Sequence, residues 1–141
     1  MNPESRNVVS NTAPEPVGAF PHAKRVGSLL FLSGIGPRVR GSKTVPGVTV
    51  DDHGVVVAYD FESQCHAVFK NVKTVLEDSG ASWEDIVDVM VFLTDMKGDF
   101  PTFNRIYADY FATNQPTRTT VEVNRLPTPI AVELKVIASV G

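Results

Sequence analysis

Two residues stand where their side-chain types could do chemistry. Glu133 falls inside an alternating apolar run, Ala131 to Ala138, in which Val132, Leu134, Val136 and Ala138 share one strand face. Glu133 and Lys135 take the other face. A carboxylate partly withdrawn from water can relay protons as a general acid or base. It can also be a solvated residue of an outer sheet face, the commoner fate of a charged side chain. Arg118 stands just ahead of a β-branched run, Thr119 to Val123. A planar guanidinium held by a rigid strand can clamp a carboxylate with two parallel hydrogen bonds. On residue type alone, a surface ion pair is the ordinary role of such an arginine.

Other chemistries lack their residues. His22, His53 and His66 are scattered, and no HxxxH or CxxC occurs, so no metal set is implied. Cys65 falls on the apolar stripe of a helix and reads as a structural thiol rather than a nucleophile. There is no phosphate-cradling glycine loop followed by Lys-Ser/Thr and no dinucleotide fingerprint, so no cofactor is implied.

The elements that must position Glu133 and Arg118 follow from periodicity. Ser28 to Ser33 is a short apolar run closed by Gly34 and suits a buried strand. Arg38 to Gly54 is rich in Gly, Pro and charge, and reads as a surface excursion or loose hairpin. Asp60 is placed to cap a helix whose apolar positions are Cys65, Val68, Phe69, Val72, Val75 and Leu76, with Gly80 to end it. Ser82 to Asp85 forms a capped turn before a strand from Ile86 to Leu93. A second helix is predicted to start at Asp99 with Pro101 in its first turn, and Phe103, Ile106, Tyr107, Tyr110 and Phe111 form its stripe. Leu126 to Pro129 separates the two closing strands. The order predicts an α+β domain, a mixed sheet with two helices packed on one face, leaving the other face solvated or covered by another subunit.

With 141 residues, 43% of them hydrophobic, the chain can bury a core without metal or disulfide staples. A formal charge of −3, without a basic run, argues against nucleic acid as the main partner. One cysteine precludes an internal disulfide, and no stretch is long and apolar enough to span a membrane. Residues 1–16 are polar and proline-bearing without a signal-peptide core, and are predicted to be a flexible arm ahead of a domain spanning 17–141, in the cytoplasm.

Several segments in order, from about Gly18 to Ala138, resemble the RidA/YjgF family. They are Leu30-Phe31-Leu32-Ser33-Gly34, Asn71-Val72-Lys73, Phe92 to Met96, Phe103 to Tyr107, Pro116 to Val123 and Val132-Glu133-Leu134. The resemblance implies a chorismate-mutase-like fold, a homotrimer (or a hexamer of paired trimers) and a site in each subunit cleft. It implies that Arg118 binds a substrate carboxylate and that Glu133 relays protons through a bound water during enamine or imine hydrolysis. Ser33, Phe20 and Asn104 match further site positions, although a strand-end serine, an apolar staple and a helix-to-loop hydrogen bond are their structural alternatives. Within the family, Gly18 to Arg25 and Gly34 to Arg38 look like the 2-aminomuconate deaminase branch, with Phe20 in place of the usual Tyr and Thr120 where many members have Cys. That substrate carries two carboxylates and calls for a second cation, with Arg38 and His22 ranked ahead of Lys24 and Arg25. The activity implied is conversion of 2-aminomuconate to 4-oxalocrotonate and ammonia in aromatic-compound catabolism. The alternatives are a broad 2-aminoacrylate-type imine deaminase and a non-catalytic ligand-sensing trimer.

Overall fold

Every second residue of the last strand is apolar, and that alternation organises the domain. The computed structural model describes residues 5–42 and 44–141. In chain order the elements are β1 (Ser5–Val8), β2 (Ala23–Val26), β3 (Leu29–Leu32), β4 (Val48–Val50), β5 (Val56–Tyr59), α1 (Phe61–Asp78), β6 (Ile86–Leu93), α2 (Met96–Tyr110), β7 (Thr117–Glu122) and β8 (Val132–Ser139). Six strands form one sheet in the order β1-β2-β3-β8-β6-β7, while β4 and β5 pair separately as a small hairpin. All contacts in the large sheet are antiparallel except β6 with β7, which are joined by α2 and run parallel. The predicted mixed α+β sheet with helices on one face is the fold found.

The core lies between that face and the helices. Val132, Leu134, Val136 and Ala138 of β8 are fully buried, as are Val89, Val91 and Leu93 of β6 and Leu30 and Leu32 of β3. They pack with Cys65, Val68, Phe69, Val72 and Leu76 of α1 and with Phe103 and Ile106 of α2. Burial of one such side chain contributes about 1.5–3 kcal/mol. Asp60 caps α1 as read from the sequence, accepting a bond from the Glu62 amide.

Three boundaries differ from expectation. Residues 5–16 are not a free arm: β1 pairs with β2, and Ser10 and Ala13 are buried. Composition could not show this, because the pairing is made with a strand some twenty residues on. Residues 1–4 of the predicted arm lie outside the described residues. Helix α2 starts at Met96 instead of Asp99, because Asp95 caps it by accepting from the Gly98 amide at 3.0 Å. Gly98 makes room for that carboxylate, since a Cβ there would lie 2.4 Å from Asp95 Oδ2. Pro101 is thus inside the helix, and Asp99 is buried and accepts from the Tyr59 hydroxyl at 2.7 Å. Strand β7 begins at Thr117, so Arg118 sits within it rather than before it.

Because Asp95 caps α2, Asp95→Ala should cost about 1 kcal/mol while Asp95→Asn is nearly neutral. Urea unfolding checks this: the midpoint falls for the alanine variant alone, at an unchanged slope.

Candidate active site

After Leu32 the chain leaves the sheet, and a cavity of about 210 Å³ opens beside β8. Glu133 lies in its lining, with Ser33, Gly34, Ile35 and Arg38 from the segment following β3. Phe20 and His22 come from the approach to β2, while Pro14, Pro16 and Val17 form a wall from the N-terminal segment. Pro127, Thr128 and Ile130 close the remaining side.

Glu133 is half-buried, and desolvation raises its pKa above the ordinary value of 4.5, with Arg38 opposing the shift. Gly34 leaves room for it: a Cβ there would stand 2.8 Å from Glu133 Oε2 and would make the carboxylate shift. Arg38 is half-exposed and gives one bond to the Glu15 carbonyl at 2.7 Å, leaving other guanidinium N–H groups for a ligand. Its backbone is fixed by Asn71, whose amide donates to the carbonyls of Gly36 (2.8 Å) and Arg38 (2.7 Å). Asn71 was not among the predicted site residues. In the sequence it stands in the Asn71-Val72-Lys73 segment of the family resemblance, as a polar side chain flanking the apolar stripe of α1.

His22 lines the cavity but has no nitrogen left for a substrate. Its Nδ1 accepts from the Ser10 amide at 3.0 Å, which requires that nitrogen to be unprotonated. Its Nε2–H then donates to the Pro14 carbonyl at 2.8 Å. The imidazole braces the N-terminal wall, and Arg38 is the arginine in the cavity lining. Arg40 supports the same wall, donating to the Ala13 carbonyl at 2.8 Å and pairing with Glu15. The Ser33 hydroxyl donates to the Pro21 carbonyl at 2.7 Å, so only its lone pairs can face a ligand. Phe20 is a partly exposed apolar rim packed over Gly18. Lys24 and Arg25 do not line the cavity, and Arg25 Nε is spent on the Gly27 carbonyl at 2.9 Å.

Arg118 and Asn104 also lie elsewhere in the chain. They meet each other where edge strand β7 faces α2, outside the cavity lining, and Arg118 donates to Asn104 Oδ1 at 2.7 Å. The Arg118 guanidinium carbon lies over the rings of Tyr107 (4.7 Å), Phe103 (5.6 Å) and Phe100 (5.7 Å). No carboxylate pairs with it among the described residues. Within one chain, the cavity holding Glu133 and the edge strand holding Arg118 are thus two separate places. Cys65 is confirmed as structural: it is fully buried, and desolvation pushes its thiol up to about 12.

The structure places a half-buried carboxylate beside a cavity with many apolar lining residues in a single α+β domain. Residues 10–140 match the family described as Endoribonuclease L-PSP, and the chain belongs to this family, the RidA/YjgF family inferred from its motifs. A RutC family protein of Pyrococcus abyssi is 35% identical over 132 residues, covering 93% of this chain and 94% of that protein. A 2-iminobutanoate/2-iminopropanoate deaminase of Dermatophagoides farinae is 34% identical over 138 residues, covering 97% of each. Among solved structures, Escherichia coli TdcF with bound serine superposes with a TM-score of 0.81 at 29% identity, covering 96% of this chain and 99% of that one.

A carboxyl whose pKa is higher folded than unfolded binds more protons in the native state, so stability falls as pH rises through that interval. Glu133→Gln should therefore melt above wild type at pH 8. The two proteins should converge below pH 4.5, where the wild-type carboxyl is protonated in both states. Thermal melts at the two pH values read this directly.

Proposed function

We propose that the protein hydrolyses enamines or imines bound through a carboxylate, releasing ammonia and a 2-oxo acid. The observation carrying this is Glu133, whose carboxyl is held towards its protonated form inside a cavity that also contains a cation. Protonation of the enamine carbon gives an iminium ion, and water adds to its C=N carbon. The carbinolamine then expels ammonia and leaves the ketone. Each step moves a proton, and one carboxyl working through a bound water can serve all of them. Similarity to the mite imine deaminase supports this reaction class.

The carboxylate clamp is Arg118 of a neighbouring copy. Within one chain Arg118 and Glu133 are in separate places, and the sheet face opposite the helices is incompletely covered. Leu29, Met90 and Val121 on that face are 40%, 36% and 36% exposed. Packing that face against further copies, in a homotrimer, would bury it and bring the two half-sites together.

Arg38 favours a finer reading. With Arg118 on one carboxylate, Arg38 is placed to hold a second, and the apolar walls between them suit a conjugated carbon chain. 2-Aminomuconate has this form, and its product would be 4-oxalocrotonate.

The test follows the ultraviolet absorbance of 2-aminomuconate and of freshly generated 2-iminopropanoate, with ammonia release, in wild type and three variants. Arg118→Ala and Glu133→Gln should each lower kcat/KM at least about a hundredfold on both substrates. Arg38→Ala should raise KM about tenfold for the dicarboxylate alone. No acceleration of either substrate by wild type, with binding of 2-oxo acids retained, would replace the enzyme with a ligand sensor. Equal effects of Arg38→Ala on both substrates would remove the dicarboxylate reading.

A further inference from the structure

Arg118 has an aromatic support that extends well beyond the ring it covers. Tyr107 lies beneath the guanidinium, and Phe111 stacks on Tyr107 with centroids 4.3 Å apart and planes 27° from parallel. Trp83 continues the series on Phe111 at 4.7 Å and 30°. The result is a column of three rings ending in a cation. Phe69, fully buried on α1, stands edge-on to every ring of it, at 88° to Trp83, 78° to Phe111 and 61° to Tyr107.

The far end of the column is fixed by hydrogen bonds. Trp83 Nε1 donates to the Tyr110 carbonyl at 2.8 Å, and Asn114 Nδ2 donates to the Trp83 carbonyl at 3.0 Å. The turn carrying Trp83 is itself closed by a capping box between Ser82 and Asp85. At the other end Asn104 holds one edge of the guanidinium. A long arginine side chain loses rotamer entropy when a ligand fixes it, and a flat aromatic platform removes part of that cost beforehand.

We propose that Tyr107, backed by Phe111 and Trp83, is a positioning residue that supports the Arg118 guanidinium on its ring and so pre-orients its N–H edge for a carboxylate. The role belongs to the ring and not to the hydroxyl, because the Tyr107 oxygen is buried without a hydrogen-bond partner among the described residues. This rests on the reading of Arg118 as the carboxylate clamp, and the experiment separates the two.

Binding of 2-oxobutanoate is measured by calorimetry, and turnover of 2-iminopropanoate alongside it, in the full-length protein. Tyr107→Leu, which keeps bulk and loses the flat face, should weaken binding and raise KM about tenfold with kcat within about twofold of wild type. Tyr107→Phe should bind as wild type and melt at or above it, since it deletes an unsatisfied buried hydroxyl. Val72→Ala, a fully buried change in α1 outside the column, controls for lost stability and should leave binding unchanged. Wild-type binding by Tyr107→Leu, when Arg118→Ala has lost binding, would overturn the proposal and leave the clamp intact. Equal losses in Tyr107→Phe and Tyr107→Leu would also overturn it, assigning the effect to the hydroxyl. Wild-type binding by Arg118→Ala would overturn the clamp and the column together.

Discussion

Alternation along β8 is the constraint from which the site follows. Val132, Leu134, Val136 and Ala138 must lie under the helices, and a one-residue slip would put Glu133 and Lys135 into the core instead. Such a slip would bury two charges and expose four apolar side chains, so the register is strongly held. Glu133 thereby inherits the precision of the core without being part of it. Its carboxylate is offered to the cavity by a central strand with paired neighbours on both edges, the kind of support that keeps a reactive group in place.

Carrying the carboxyl in this position has a cost. Desolvation works against the ionised form, and the cation that offsets it, Arg38, lies on an irregular segment anchored by Asn71. The two charged groups are thus held by different means, one by sheet register and the other by side-chain bonds to backbone carbonyls. A substrate carboxylate arriving near Arg38 would weaken the arginine's hold on the Glu133 charge and push that carboxyl further towards its protonated form. On the proposed reaction, binding and proton donation would be coupled through that one arginine.

The fold was legible where burial follows a local period. The stripes of α1 and β8 and the Asp60 cap were read from spacing, and each is present. Legibility ended where position depends on partners distant in sequence. Nothing in the Pro-rich composition of residues 5–16 reports pairing with β2, or that His22 would brace this segment instead of binding substrate. The start of α2 was misplaced because Pro101 favours a first turn, whereas the Asp95 cap depends on the space left by Gly98. Arg118 and Glu133 were grouped by resemblance, and only the strand order shows that a single chain keeps them apart.

The N-terminal wall of the cavity carries a further consequence for how such a protein can diverge. The carboxylate belongs to a core strand, where replacement of the neighbouring residues disrupts packing. The wall opposite is built from Pro14, Pro16 and Val17, tied down by His22, Arg40 and a few carbonyl contacts. Changes in those residues reshape the opening at little expense to folding, because the segment lies at the edge of the sheet. The carboxylate and the wall that faces it are thereby carried by separate parts of the chain. The shape of the cavity mouth can therefore diverge while the strand that carries the carboxylate is kept.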